Sequence, residues 1–310
     1  MTSLAPLSLS DAVANARSGA AGYWDASGAQ ASAEAGVNRV EYDPLTLAVR
    51  GLLLEEGRTN LLLNSTTLST QSVSVTAQAY TLSFYGTGTV TLTGASTAGP
   101  LVGTAAGTRV SLNFTPSAGS LTLTVSGSVQ YAQLEAGAYP TSWISTAVTS
   151  VARARDAATI AAPTEWLSDA AGSVLLEVLM PFTPPSDGVL RRLLQLDDGT
   201  ETNRISVYLS GATLYAEMNH VSFGSQVGMA LGTITANTAK KVAYAWSANN
   251  AAAIAAGNTL QADTSCTVPT VTTARLGCAS ASGSDLSGYL RRVRFYPRRL
   301  TDNELRALVA

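Results

Sequence analysis

The chain has 310 residues, of which 46% are hydrophobic and 13% charged, and its formal net charge is −2. This composition argues against nucleic-acid binding, which depends on many Lys and Arg contacts to phosphates, and against disorder, which needs low hydrophobicity with high net charge. No apolar run approaches the ~20 residues that span a bilayer, and the first residues, MTSLAPLSLSDAVANA, predict no secretory signal because no basic region precedes an apolar one.

The first part of the chain, residues 1–65, does not alternate cleanly between apolar and polar residues. It contains Gly, Ala and Asn turns, followed by the apolar stretches in residues 51–56 and 60–64. This pattern predicts an irregular N-terminal segment that ends by docking on the next domain.

Apolar residues recur with a period of two between residues 66 and 146, while Thr and Ser fill the other positions. The alternating positions are Leu82, Phe84, Val90, Leu92, Val110, Leu112, Phe114, Leu121, Leu123, Val125, Val129 and Tyr131. Successive side chains of a strand point to opposite faces, so this pattern predicts half-buried antiparallel strands. Many short strands at this spacing predict a β-sandwich or jelly roll.

Residues 147–166 predict a linker or a crossing strand, after which a second alternating region begins. Its positions are Val174, Leu176, Val178, Met180, Ile205, Val207, Leu209, Leu214, Ala216, Met218, Val242, Tyr244, Trp246, Val293 and Phe295. The sequence Ser210-Gly211-Ala212 predicts a hairpin turn. At the C-terminus, Thr301 and Glu304 form a capping-box pattern that predicts one short helix with Leu305 and Leu308 on its apolar side.

The two cysteines, Cys266 and Cys278, do not match the close pairs of ligands that zinc sites use. Without an export signal, we expect two reduced, buried thiols. A disulfide between neighbouring strands is the alternative.

Three stretches resemble tail-fibre and related adhesin proteins of tailed bacteriophages. The first runs from Tyr42-Asp43-Pro44 into RGLLLEEGRTNLL at residues 50–62, which is similar to a signature that opens many phage tail modules. The second, QLEAGAYPTSWI at residues 133–144, is similar to the closing segment of carbohydrate-binding-module-like jelly rolls, with Trp143 where Tyr is usual. The third, GYLRRVRFYPRRLTDNEL at residues 288–305, resembles the last strand and helix of concanavalin A-like, laminin-G-like domains.

With this resemblance, we expect an all-β chain in three parts. An N-terminal docking segment (residues 1–65) precedes a jelly-roll carbohydrate-binding-module-like domain (66–160), and a concanavalin A-like β-sandwich (161–310) follows with the short helix. The resemblance implies a virion protein on a tail or other surface appendage, made in the bacterial cytoplasm and acting at the host cell surface. It also implies other virion proteins as partners, and a homotrimer. It carries over no catalytic residue.

Glycan sites pair an aromatic face with a few fixed hydrogen-bonding groups. Such residues cluster on the predicted hairpin and the loop after it: Tyr208, Tyr215, Asn219, His220 and Gln226. The alternative is that they are ordinary surface and loop residues of a sandwich. Tyr139 and Trp143 are further candidates for stacking on sugar, although their segment is also suited to closing the jelly roll.

Tyr23 and Trp24 precede a turn-like stretch, and we expect them to dock on a virion partner or on the neighbouring domain. Trp246 is in phase with Val242 and Tyr244, which predicts a core position. Glu55 and Glu56 adjoin Arg58 and are interpreted as ion-paired structural residues.

Charged clusters give two weaker hypotheses. The acidic stretch 197–201 predicts a hairpin turn, with calcium binding as the alternative, since calcium takes several oxygen ligands. The Arg-rich stretch 291–299 predicts a solvated outer face, with binding of an acidic polysaccharide as the alternative.

The leading hypothesis is host recognition through weak, multivalent binding of a surface glycan. The alternative is a non-catalytic structural or decoration protein of the virion. A glycan depolymerase is the third option, but we expect no enzyme, because no G-x-S-x-G motif is present and His220 has no recognisable partner.

Overall fold

A computed structural model describes residues 9–160 and 170–310, apart from the side chain of Ser10. Parts of the predicted N-terminal segment (1–8) and of the predicted linker (161–166) lie outside the described residues. The predicted all-β class is confirmed, with antiparallel sheets and one short C-terminal helix. Neither helix in the described part of the chain has the length and apolar character that a membrane crossing requires.

The elements up to the end of the jelly roll are one helical turn and thirteen strands. They are α1 (Leu9–Ala12), β1 (Val13–Asn15), β2 (Ala21–Trp24), β3 (Gln30–Ala33), β4 (Arg39–Tyr42), β5 (Val49–Leu54), β6 (Arg58–Asn60), β7 (Gln71–Val75), β8 (Tyr80–Gly86), β9 (Thr89–Gly94), β10 (Leu101–Val102), β11 (Ala105–Phe114), β12 (Gly119–Ser126) and β13 (Val129–Ala136).

The remaining elements of the described residues are twelve strands and the C-terminal helix. They are β14 (Val151–Arg153), β15 (Ala158–Ile160), β16 (Ala171–Leu179), β17 (Leu190–Asp197), β18 (Arg204–Ser210), β19 (Thr213–His220), β20 (Gly224–Thr233), β21 (Lys240–Ser247), β22 (Ala251–Ala255), β23 (Gln261–Asp263), β24 (Thr273–Leu276), β25 (Gly288–Tyr296) and α2 (Asp302–Val309).

The jelly roll packs a four-stranded sheet, in the order β10-β9-β12-β7, against a three-stranded sheet, in the order β11-β8-β13. Its core contains the predicted alternating residues, among them Leu82, Phe84, Leu92, Leu121 and Leu123. The strand β8 departs from the predicted half-buried pattern because it is buried on both faces. Its second face lies under the rest of the molecule: Trp24 contacts Tyr85, and Arg109 bonds to Ser83.

The C-terminal sandwich is built from two seven-stranded sheets, β1-β15-β24-β17-β18-β19-β20 and β23-β22-β21-β16-β25-β5-β4. The predicted hairpin at residues 210–213 is confirmed, and Trp246 is 1% exposed in the core. The helix α2 has the predicted capping box, in which Thr301 accepts from the Glu304 backbone and Glu304 accepts from the Thr301 backbone. Leu305 packs with Leu175 and Ile254 on the outer side of the second sheet.

The sheets do not follow the predicted boundary at residue 65. β1, β4 and β5 are strands of the C-terminal sandwich, and β5 pairs with β25 through Leu54 and Gly288. The apolar run Leu52–Leu54 explains this placement, because three consecutive buried leucines need cover on both faces. The jelly roll is therefore an insertion in the sandwich. The chain leaves the sandwich through β6 and returns to it through β14. These two strands pair with each other and form a two-stranded neck.

A buried ion network lies at the base of this neck. Asp156 accepts from Arg17 at 2.8 Å and from Arg39 at 2.6 Å. Glu55 pairs with Arg39 and with Arg153, each at 2.9 Å. These five side chains are nearly fully buried. The network therefore holds the segment after β1, the strand β4, the end of β5 and the strand β14 of the neck in one arrangement.

Cys266 and Cys278 are free and buried. Burial raises the pKa of Cys278 to about 11 and also raises the pKa of Cys266. Since the thiolate is the reactive form, we expect neither thiol of the native protein to react with Ellman's reagent at mildly alkaline pH. Both should react after unfolding in guanidinium chloride. A fast native reaction would contradict the burial of the two thiols, and fewer than two thiols after unfolding would reveal a disulfide.

Candidate functional site

A cleft of about 370 Å³ opens between the jelly roll and the sandwich. One wall comes from β8 and β11 of the jelly roll, and the opposite wall comes from β4, β5 and β25 of the sandwich. The hairpin β2–β3 and the segment 140–143 complete it. The aromatic side chains that line the cleft are Tyr23, Trp24, Tyr85, Trp143, Phe182 and Tyr289. Its charged lining residues are Glu41, Asp43, Arg50, Glu55 and Arg109.

The N-terminal hairpin is fixed to the jelly roll through Trp24. Its indole Nε1 donates to the Tyr85 hydroxyl at 2.9 Å, and its ring lies edge-on to Tyr85 and Tyr131, with centroids 5.1 and 5.8 Å apart. Gly22 is required beside it, because a Cβ there would clash with the carbonyl of Trp143. Trp24 therefore contacts the jelly roll, which is one of the two kinds of contact that the sequence left open for this pair. Tyr23 is half-buried and lines the cleft, and docking of this pair on a virion partner stays a prediction.

Trp143 and Tyr139, the two candidates from the second motif, lie in different surroundings. Trp143 is half-buried in the cleft, donates from Nε1 to Ser65 at 3.1 Å and contacts the edge of Tyr131. Tyr139 is 4% exposed, stacks on Phe182 with a centroid separation of 3.9 Å, and donates its hydroxyl to Glu56. Tyr139 therefore holds the jelly roll on the sandwich, and Trp143 is the one of the two that lines the cleft.

The acidic side chains of the cleft differ in the direction in which their surroundings shift the pKa. Burial opposes ionisation of Asp43, but hydrogen bonds from Arg50 and the backbone of residues 45 and 46 outweigh it and hold the pKa of Asp43 low. Burial likewise opposes ionisation of Glu55, but Arg153 and Arg39 keep its pKa low. For Glu41, burial prevails and raises the pKa, although the Tyr289 hydroxyl donates to Glu41 at 2.8 Å. Of these three carboxyl groups, Glu41 is therefore the one whose pKa is raised.

Arg109 is the cation on the jelly-roll wall. One terminal nitrogen donates to the Thr141 carbonyl at 2.6 Å, and the other donates to the Ser83 hydroxyl at 2.7 Å. The guanidinium lies over the Tyr85 ring, 5.9 Å from its centroid. Arg109 was not among the residues predicted from the sequence. Its signal was a lone Arg in a strand, out of phase with the core residues Val110 and Phe114.

The other predicted glycan residues lie together on the outer face of the sandwich, away from the cleft. The rings of Tyr208 and Tyr215 stack with centroids 5.3 Å apart, and Arg192 lies over Tyr208 at 4.8 Å. Asn219 is opposite Arg204 in the hairpin. His220 is at the end of β19, where its ring is 4.8 Å from the ring of Phe223. The predicted residues thus form two surfaces, the cleft and this outer patch.

Most of the remaining charged residues are held by partners. Asp197 pairs with Arg275 at 2.8 Å, and Asp198 accepts from Thr200 and Asn203 in the predicted turn. No group of three or more His, Cys, Asp or Glu suited to a metal ion occurs within residues 9–160 and 170–310. In the Arg-rich stretch 291–299, Arg292 is near Glu177, and Arg298 pairs with Glu304 at 2.6 Å. The predicted ion pair of Arg58 with Glu56 is present at 2.6 Å.

No family model matches this chain, and no curated protein matches it. Among solved structures, it is similar to Ruminococcus gnavus IT-sialidase CBM40 bound to α2,3-sialyllactose, at 17% identity and a TM-score of 0.39, over 48% of this chain and 86% of that one. It is also similar to a heptameric SAP-like pentraxin from Limulus polyphemus, at 13% identity and a TM-score of 0.34, over 46% of this chain and 71% of that one. The similar region covers about half of this chain, and the similarity does not identify a ligand of the cleft.

Proposed function

We propose that this chain is a glycan-binding protein and that the cleft between the jelly roll and the sandwich holds the sugar. The observation that carries the proposal is the convergence of half-buried aromatic rings, Tyr23 and Trp143, with fixed polar groups in one cleft of about 370 Å³. Ring faces stack on the C–H faces of sugars, and hydroxyl groups need donors and acceptors whose positions are fixed in advance. The volume falls in the usual range for small-ligand sites, roughly 300–1,000 Å³.

The resemblance of the two motifs to phage tail proteins supports a more specific form of the proposal. In that form the chain is a tail-fibre or spike protein of a virion, its ligand is a polysaccharide of the host cell surface, and it works as a homotrimer beside other virion proteins. Weak binding at one cleft becomes firm attachment when many copies bind one surface at once.

Binding without hydrolysis is part of the proposal. Cleavage of a glycosidic bond needs two available carboxyl groups, one as acid and one as base or nucleophile. Asp43 and Glu55 are each held by an Arg partner and by backbone donors, which leaves Glu41 as the only lining carboxyl of the described residues outside a close ion pair.

A structural role in the virion is the second candidate, and one observation favours it. The two phage-like motifs bond to each other: Ser142 donates its backbone N–H to Glu55 at 2.6 Å, Tyr139 donates to Glu56, and Asn60 donates to the Ile144 carbonyl at 2.9 Å. These motifs therefore hold the neck of the jelly roll. Such a module serves a decoration or linking protein equally well, since fold does not fix function.

Binding to an array of bacterial capsular polysaccharides and lipopolysaccharide O-chains tests the proposal. We expect wild-type protein to bind a subset of them, and Tyr23→Ala to weaken that binding about tenfold, the loss of roughly 1.4 kcal/mol from one stacking contact. Tyr215→Ala, on the outer patch, is the matched control and should bind like wild type.

The two variants also discriminate between the surfaces. Loss of binding in Tyr215→Ala with normal binding in Tyr23→Ala would move the site to the outer patch. Folded, oligomeric wild type that binds no polysaccharide on the array, and no whole bacteria, would favour the structural role.

A further inference from the structure

Arg109 differs from the other buried or half-buried arginines around the cleft in having no acidic partner among the described residues. Arg39 and Arg153 pair with Glu55, and Arg50 pairs with Asp43 at 2.7 Å. Arg109 makes no ion pair with any residue that the structure describes, and both of its hydrogen-bond acceptors are neutral. A positive charge in a confined site is costly unless a partner compensates it, so this cation is a candidate for pairing with an anion from outside the chain.

Glu135, the acidic residue of the jelly-roll strands, does not supply that anion. Glu135 is fully buried and accepts from both the backbone N–H and the hydroxyl of Thr141, at 2.9 and 2.7 Å. Arg109 bonds to a different group of Thr141, its backbone carbonyl. On the opposite wall, Glu41 is bonded by Tyr289 and lies 4.0 Å from Arg50.

The orientation of Arg109 is set before any ligand arrives. Its two terminal nitrogens are bonded to Thr141 and Ser83, and its central carbon lies over the Tyr85 ring, 5.9 Å from the centroid. Each terminal nitrogen carries two hydrogens, so one hydrogen remains on each after these bonds. A guanidinium with two such donors matches the two oxygens of a carboxylate, and fixing it in advance lowers the entropy lost on binding.

We infer that the glycan held in the cleft is acidic, and that Arg109 binds the carboxylate of a uronic acid or another carboxyl-bearing sugar. This inference rests on the proposed function, because it names the class of sugar for the same cleft. The aromatic rings Tyr23 and Trp143 then hold the faces of the sugar, while Arg109 selects the charged one.

The test compares each acidic polysaccharide that binds on the array with the same sample after chemical reduction of its carboxyl groups to alcohols. We expect reduction to weaken binding of the wild-type protein 10- to 100-fold, in line with a charge-assisted hydrogen bond. Binding of the native polysaccharide should also weaken as salt rises. This comparison uses wild-type protein only, so it does not depend on the folding of a variant.

Variants then assign the effect to Arg109. Arg109→Gln should lose the preference for the native over the reduced polysaccharide, and Arg109→Lys should keep part of it. Arg294→Gln removes an exposed arginine of β25 that does not line the cleft, and it should retain the full preference. Thermal unfolding of each variant controls for the bonds that Arg109 makes to Thr141 and Ser83.

The outcomes separate the inference from the function on which it rests. If wild type binds only neutral polysaccharides, or binds native and reduced samples equally, the acidic ligand is overturned while glycan binding stands. If Arg109→Gln keeps the preference, another donor of the chain binds the carboxylate, and the assignment to Arg109 is overturned. If wild type binds nothing, both proposals fail.

Discussion

Replacing Asp156 with Asn is expected to lower the free energy of unfolding by about 3–5 kcal/mol, because it removes the carboxylate that Arg17 pairs with and leaves Arg39 with Glu55 alone in a buried site. Asp156 is 1% exposed and pairs with both Arg17 and Arg39, which are also buried. It also accepts from Asn15 at 2.8 Å and from the Glu55 backbone at 2.9 Å. The amide of Asn cannot neutralise two guanidinium groups, so both would remain charged in a dry site.

Urea unfolding of wild type and Asp156→Asn measures this loss, and Asp302→Asn is the control. Asp302 is half-exposed and pairs with Arg299 at 2.8 Å on the surface, so its replacement should cost no more than about 1 kcal/mol. A loss for Asp156→Asn as small as that of the control would show that the network is not a main source of stability.

The same variant predicts a dependence on pH. Burial opposes ionisation of Asp156, but Arg39, Asn15 and Arg17 outweigh it and hold its pKa below the ordinary value. A lowered folded-state pKa contributes stability above the unfolded-state pKa, about 3.9, and this contribution is lost as the pH falls toward the folded-state pKa. The difference between wild type and Asp156→Asn should therefore be constant near neutral pH and shrink below about pH 4.

Replacing Asn60 with Ala is expected to cost about 3–5 kcal/mol, because four buried backbone groups lose the bond that they make to its amide. The Asn60 amide donates to the carbonyls of Ala132 and Ile144, and its oxygen accepts from the N–H groups of Leu62 and Leu134. Asn60 is fully buried, so water does not replace these bonds. It therefore joins the neck to the last strand of the jelly roll and to the segment after it.

Two further variants identify the cause. Asn60→Asp keeps the shape but places a carboxylate oxygen against two carbonyls, so its loss of stability should equal or exceed that of Asn60→Ala. Asn113→Ala removes an amide on the surface of the jelly roll that makes two bonds, and it should cost about 1 kcal/mol. Equal losses for Asn60→Ala and Asn113→Ala would contradict the special role of Asn60.

Local patterns in the sequence predicted much of the fold, because strand alternation and helix capping depend on residues that are close together in the sequence. The alternation of Leu82 and Phe84 marked a strand, and Thr301 with Glu304 marked the start of the helix. In each case the information lies within a few residues of the element itself. The burial of Trp246 followed from its phase with Val242 and Tyr244 for the same reason.

The pairing of distant strands could not be predicted in this way. The apolar run Leu52–Leu54 was interpreted as the end of an irregular docking segment, and no residue near it indicates that the run is a strand paired with β25. The cleft depends on the same long-range pairing, since Tyr23, Arg109, Trp143 and Tyr289 meet only when the insertion is seated on the sandwich. The sequence therefore predicted some of the aromatic residues of the cleft but not Arg109. The importance of Arg109 depends on the three-dimensional structure, in which no described acidic residue pairs with it.

The insertion of the jelly roll also sets an order of assembly on the ribosome. Domains form from the N-terminus as the chain emerges, and the jelly roll, whose sheets use only residues 71–136, is continuous and can close early. The strand β5 emerges before it but has to wait for β25, near the end of the chain. Its leucines stay uncovered through most of synthesis, so this short stretch is where a nascent chain would first need protection from aggregation.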